Sequence, residues 1–234
     1  MLSISMIGII SGYRTGSSTL IKELSATLNM TYKREFTGEL DFANNPFSYP
    51  EPINQIYKFM PTNNNLDGEL RDLFYTHWLG NSSNLFYTVR HDITAQIKSW
   101  ALASITHRFH PYDPGLTNPK GAWQGFGDDA RFRTIEEMNI DKYNRSNNTE
   151  FETIKDCQSH IDDTFDESLL LRYTDNIIST MQNQHKMYQE YKGTVCWLEN
   201  RAETNNKRYP IVFSLPSYYD SWHCGSVGEQ YFKE

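Results

Sequence analysis

Short apolar runs alternate along the chain with stretches whose hydrophobic positions recur every three or four residues. Ile4 to Ile10 is an apolar run of strand length. After a polar turn come Leu20, Ile21, Leu24 and Leu28, which share one face of a helix that Asn29 can close. Leu70, Phe74 and Trp78 repeat at helical spacing and predict a helix over Asp67 to Leu79, with Gly80 as its stop. Leu85 to Val89 reads as a buried strand. The segment after Asp92 reads as a helix, whose stripe Ile97, Trp100, Ser104, Ile105 and Phe109 continues until Pro111 ends it.

The second half has a different texture. His110 to Asp129 is dense in proline, glycine and aromatics, a composition that breaks helix and sheet, and predicts a loop over 110–130. That loop is either a lid over an acceptor site, with Trp123 and Phe126 as apolar contacts, or a surface excursion. Asp141 to Asp163 is polar and shows no assignable element. Thr164 with Glu167 then suggests a capping box opening a helix to Lys192, with Leu170, Tyr173, Ile177, Met181 and Tyr188 as its core stripe. Gly193 ends it, and Thr194 to Leu198 is a short buried strand followed by Glu199. Tyr209 to Phe232, aromatic and without period, packs either on the sheet or on another subunit, so a homodimer stays open.

The pattern fits one α/β domain over residues 1–234, built on a central parallel sheet flanked by helices. At 38% hydrophobic and 22% charged residues the chain is neither disordered by composition nor membrane-spanning. It shows no basic leader or cleavage site, which predicts a cytoplasmic protein. Cys157, Cys196 and Cys224 lie far apart, without the spacing of a disulfide framework or a zinc site, and no metal is expected. The Asn-x-Ser/Thr triplets at Asn29, Asn81, Asn144 and Asn147 are read as chance. A net charge of −7 opposes nucleic acid as a partner, because such binding draws its affinity from Lys and Arg displacing counterions. A compact anion held by local groups is compatible with that charge.

The candidate chemistry sits between the first strand and the first helix, where Gly12 to Thr19 reads Gly-Tyr-Arg-Thr-Gly-Ser-Ser-Thr. The first turn of a helix leaves backbone N–H groups unpaired, and the macrodipole adds partial positive charge there, so phosphate is the natural guest. Gly12 and Gly16 let the backbone fold closely, Ser17, Ser18 and Thr19 add hydroxyls, and Arg14 adds a guanidinium. A nucleotide-triphosphate P-loop carries Gly-Lys-Ser/Thr at this place; here Ser17 and Ser18 follow Gly16. Arg90 marks a second position, at the carboxyl end of the Leu85 to Val89 strand.

Arg14 to Ser18 resembles the 5′-phosphosulfate loop of sulfotransferases, whose pattern is close to Arg-Ser-Gly-Ser/Thr-Thr. Arg90, Asp92, Gln96 and Ser99 fall in register with Arg-Arg-Asp-Lys-x-x-Gln-Ala-Val-Ser of the bacterial trehalose sulfotransferase branch; His91, Ile97 and Lys98 depart from it. The resemblance covers roughly the first hundred residues. It implies a P-loop nucleotide-kinase-like sulfotransferase fold and the donor 3′-phosphoadenosine 5′-phosphosulfate (PAPS). The donor would be held by Arg14, Thr15, Gly16, Ser17, Ser18 and Thr19 at the 5′ end, and by Arg90 and Ser99 at the 3′-phosphate. It further implies transfer of a sulfuryl group to a small hydroxylated or amine acceptor such as a carbohydrate or lipid. In that branch a glutamate in a segment like Pro-x-Glu-Tyr-Phe is proposed as the base; Glu35 stands in the comparable stretch, and Glu39 takes the role if the alignment slips. Histidine serves in other branches, which brings in His91, His107 and His110; His91, next to the phosphate anchor, suits an electrostatic or structural role, and His107 and His110 read as a surface pair. A P-loop small-molecule or nucleotide kinase, or a non-catalytic phosphonucleotide-binding protein, would use the same cradle.

Overall fold

The computed structural model describes residues 6–33, 55–61, 79–80, 82–106, 134–201, 212–224 and 231–232. Glu35, Glu39, His107, His110, the loop 110–130 and all but the last residue of the helix expected over Asp67 to Leu79 lie outside them. Among the described residues five strands, β1 (Met6–Ser11), β2 (Thr31–Lys33), β3 (Gln55–Phe59), β4 (Asn84–Val89) and β5 (Thr194–Trp197), form one parallel sheet in the order β2-β3-β1-β4-β5. Among the described residues the helices are α1 (Ser17–Leu28), α2 (Ile93–Thr106), α3 (Ile135–Asn147), α4 (Ile154–Thr164) and α5 (Glu167–Tyr191). The protein is thus α/β with an all-parallel sheet. Among the described residues no helix is long and apolar enough to cross a membrane.

These residues group into two compact units. The first draws on Met1–Gln96, Thr174–Ala202 and Cys224–Glu234, and the second on Ile97–Tyr173 and Glu203–His223. In the first unit the sheet is buried on both faces, as parallel sheets are, and alternation along each strand sorts the side chains. Ile7 and Ile9 of β1, Ile56 of β3 and Phe86 of β4 meet Leu20, Ile21 and Leu24 of α1. Met6 and Ile10, Tyr57 and Phe59, and Leu85 and Tyr87 face the other way, against Met187, Tyr188 and Tyr191 of α5. Gly8 falls on that second face between Met6 and Ile10, where a Cβ would stand 2.7 Å from Leu85 Cδ2. Asn29, in the left-handed region, closes α1 as expected, while Leu28 is exposed. The sequence reading did not anticipate β2 or β3: β2 has three residues, and β3 carries the polar Gln55 and Lys58 although Lys58 is buried.

The second unit holds α3 and α4, which overlap the span Asp141 to Asp163 that shows no assignable element in the sequence. Caps define both: the Thr134 hydroxyl accepts from Glu137 N and the Thr153 hydroxyl from Asp156 N, each at 3.1 Å. Asn144 ties the connection between them, donating to Phe151 O at 2.8 Å and accepting from Phe151 N at 3.0 Å. Tyr143, Phe151, His160 and Phe213 form an aromatic cluster in which Tyr143 OH and His160 Nδ1 are 2.6 Å apart. Burial pushes the Tyr143 phenol up to about 12. One expectation is corrected here. Thr164 ends α4, its hydroxyl donating to His160 O, and Asp166 caps α5, with Oδ1 accepting from Leu169 N at 3.1 Å. A short acidic cap displaces the expected Thr164–Glu167 box because α4 runs up to Thr164 and supplies its backbone.

Candidate anion-binding site

In the first unit the chain leaves β1 through α1 toward β2 on one side of the sheet, whereas β4 pairs with β1 on the other side and its successor β5 lies further out. The connections diverge between β1 and β4. In open parallel sheets the crevice outside the carboxyl ends of two such strands is the place where ligands bind. Ser11 and Thr88 are partners in register, so the loop Gly12 to Gly16 and the residue Arg90 emerge side by side from that edge.

The loop's carbonyls are captured by side chains. Thr15 Oγ1 donates to Gly12 O at 2.9 Å, and Gln96 Nε2 to Tyr13 O at 2.6 Å. Arg201 donates from Nη2 to Thr15 O at 2.7 Å and from Nη1 to Gly16 O at 3.0 Å. Thr15 and Thr88 hydroxyls are 2.7 Å apart; a hydroxyl has one hydrogen, so Thr88 donates to Thr15. Below the loop Gln184 Nε2 donates to Ile10 O and to Thr88 O, each at 3.1 Å, and joins β1 to β4.

A planar trans peptide directs its N–H opposite to its C=O. Carbonyls held from below therefore turn the following N–H groups toward the crevice. Arg14 (φ 56°) and Gly16 (φ 72°) are both left-handed, one on each side of Thr15, which is the alternation that builds an anion-binding concavity from successive N–H groups. The first paired amides of α1, Thr19 N and Leu20 N, both donate to Gly16 O. The N–H groups of Gly16, Ser17 and Ser18 make no hydrogen bond among the described residues, as a helix start requires.

Of the residues expected to contact an anion, Thr15 is buried with its hydroxyl committed to the fold, and Ser17 is buried at the helix start. Ser18 is half-buried and Thr19 exposed. The glycines serve contacts on the protein side: a Cβ at Gly16 would stand 2.6 Å from Leu198 Cδ1 and 2.9 Å from Arg201 Nη2, and one at Gly12 3.1 Å from Gln184 Oε1. Arg90 lies beside Glu199, with Nε 3.6 Å from Oε1. Glu199 also accepts from His91 N at 3.0 Å and Asp92 N at 3.3 Å, and Asp92 caps α2 by accepting from Ala95 N at 2.8 Å. The His91 ring stacks on Trp197 at 3.7 Å, a packing role. Ser99 is on α2, in the part that belongs to the second unit, half-buried.

Arg201 and Gln184 are the residues that sequence reasoning missed. Gln184 had a signal: it is polar on the α5 core stripe, three residues after Met181 and four before Tyr188. Arg201 had none. Burial lowers the Arg201 pKa below the usual arginine range, while Cys196, Glu23 and Glu199 pull it back up; a guanidinium remains charged throughout. Gln96 Oε1, Gln184 Oε1 and Arg201 Nε are buried without a hydrogen-bond partner among the described residues. No cluster of three or more His, Cys, Asp or Glu side chains able to hold a metal occurs among the described residues. No protein-family model matches the chain, and no curated protein matches it in sequence.

Proposed function

We propose that the protein is a PAPS-dependent sulfotransferase acting on a small hydroxylated or amine acceptor, such as a carbohydrate or lipid. The observation that carries this reading is the captured loop. With the carbonyls of Gly12, Tyr13, Thr15 and Gly16 held from the protein side, the N–H groups that follow them and the α1 dipole are left for an oxyanion. Arg90, at the end of the adjacent strand, supports a second anionic group on the same ligand, which suits a nucleotide phosphorylated at both ends better than a single phosphate. The absence of a lysine after Gly16 supports sulfuryl over phosphoryl transfer from a triphosphate.

In the reaction the bond from sulfur to the donor's 5′-phosphate oxygen breaks as a bond from sulfur to the acceptor's oxygen or nitrogen forms. Negative charge grows on the departing phosphate, where the amides of Gly16, Ser17 and Ser18, with Arg14, stabilise it. The acceptor's proton goes to a carboxylate, for which the resemblance offers Glu35 and then Glu39.

The test is calorimetric titration with 3′-phosphoadenosine 5′-phosphate against ATP with magnesium. The expected result is binding of the former, weakened roughly tenfold or more in Arg90→Ala, as loss of one charge-assisted contact requires. A preference for magnesium ATP would make the protein a kinase. Binding of the bisphosphate with no turnover of PAPS on any acceptor would make it a non-catalytic phosphonucleotide-binding protein.

A further inference from the structure

The turn that follows β5 reaches both segments that the proposed function assigns to anions. Its backbone is a tight turn in which Asn200 N donates to Trp197 O and Arg201 N to Leu198 O. From it Glu199 takes the backbone N–H groups of His91 and Asp92, after β4, while Arg201 takes the carbonyls of Thr15 and Gly16, after β1. Leu198 fills the space against Gly16 where a Cβ would otherwise stand. Opposite charges on one short turn thus grip opposite ends of the backbone dipole: the carboxylate holds N–H groups, and the guanidinium holds carbonyls.

We propose that Arg201 is a positioning residue that presets the β1–α1 loop for oxyanions: by binding the carbonyls of Thr15 and Gly16 it turns the N–H groups of Gly16 and Ser17 to the crevice, and its charge lies against the amino end of α1. The idea rests on the reading that this loop binds an oxyanion, and it holds for sulfate or a phosphate ester alike. Two features make a guanidinium the group required. The carbonyls belong to consecutive residues, and a planar fork with two parallel donors spans them at 2.7 and 3.0 Å, which a lysine ammonium does only as a point charge. Without the donors, two carbonyls in a half-buried place would have to find other partners by rotating their peptides, and that rotation turns the amides away from the ligand. The cost would fall on anion affinity because the left-handed conformations at Arg14 and Gly16 leave the loop other arrangements to relax into.

The experiment compares the full chain with Arg201→Ala, Arg201→Lys and Arg201→Gln, titrated with inorganic sulfate, which reports on the loop alone, and with 3′-phosphoadenosine 5′-phosphate. The expected result is a loss of roughly tenfold or more for both probes in Arg201→Ala and Arg201→Gln, with Arg201→Lys intermediate. Millimolar guanidinium chloride, far below the concentrations that unfold proteins, should restore a measurable part of the affinity in Arg201→Ala, and sodium chloride at equal ionic strength should not. A purely structural arginine would lower the urea midpoint of Arg201→Ala and leave the affinity of the folded protein at the wild-type value, with nothing for guanidinium to restore. Wild-type affinity in Arg201→Ala overturns the proposal, as does a loss that guanidinium leaves unchanged in a variant whose circular dichroism matches the wild type. If Arg201→Ala does not fold, Arg201→Lys and Arg201→Gln decide: equal affinities in these two overturn the proposal. Wild-type binding of sulfate without the bisphosphate sinks the sulfotransferase reading and leaves Arg201's role standing; wild-type silence toward both probes sinks both.

Discussion

The two segments that leave the sheet side by side, the loop after β1 and the turn after β4, are built in opposite ways. Side chains from residues 96 and 201 reach across the sequence to hold the carbonyls of the loop after β1, with Thr88 and Gln184 supporting it from below. The turn after β4 is held by its N–H groups, through Glu199 and its own Asp92. One segment presents amides outward and the other presents the Arg90 side chain. Both can serve an anion, but the first does so with backbone geometry that distant residues must maintain, and the second with a single replaceable charge. Damage to the first should therefore cost stability and binding together, and damage to the second mainly binding.

The largest effect is expected at Gln184, which is fully buried and bonded to Ile10 O and Thr88 O. Gln184→Leu removes both bonds from the interior and should cost about 2–4 kcal/mol, read from the urea midpoint, with loss of anion binding in proportion to loop disorder. An unfolding curve that matches the wild type would show that the loop does not depend on this floor.

Gly16→Ala comes next. Its Cβ would stand 2.6 Å from Leu198 Cδ1 at a residue with φ 72°, so the substitution combines a clash with a left-handed backbone. We expect about 1–3 kcal/mol of destabilisation. Gly12→Ala, where the nearest atom is 3.1 Å away at the end of the Gln184 side chain, should cost less. Denaturation of both variants side by side checks the order, and a reversed order would mean that the turn after β5 yields more easily than its packing implies.

This asymmetry also explains what could be read from the sequence. The strand–loop–helix at Gly12 to Thr19 and the strand end at Arg90 were legible because their signals are local: apolar runs, glycines, and a helical stripe that begins at once. The partners of the loop were not, because a glutamine inside a long helix and an arginine after a short strand carry no local mark of what they touch. Register decides that, and register follows from the whole sheet. The same cause hid β3: Lys58 makes it look exposed, although it lies beside β1 at the centre. In the second unit α3 escaped because its buried face is thin, with Met138, Asn139 and Tyr143 inside, Ile140 half-buried and most of the others polar.

Arg14 separates the two costs within the loop itself. Its φ of 56° is unfavourable for any residue with a side chain, so Arg14→Gly should raise stability by about 0.5–1 kcal/mol, set against the greater freedom glycine brings to the unfolded chain, while removing a guanidinium from the proposed anion site. Higher thermal stability with weaker binding of the bisphosphate is the expected pair of results. Lower stability would mean that the Arg14 side chain contributes more to the fold than its backbone conformation costs.

The smallest stability effect belongs to the turn after β4. Arg90 and Glu199 are partly exposed and 3.6 Å apart, a geometry worth no more than about 1 kcal/mol. Arg90→Ala should therefore leave the urea midpoint nearly unchanged while weakening the bisphosphate, and Glu199→Gln should move stability by a similarly small amount. A double-mutant cycle on urea midpoints between positions 90 and 199 measures the pair directly. A coupling well above 1 kcal/mol would make the second segment as dependent on its architecture as the first, and the contrast between a backbone-built and a side-chain-built anchor would fail.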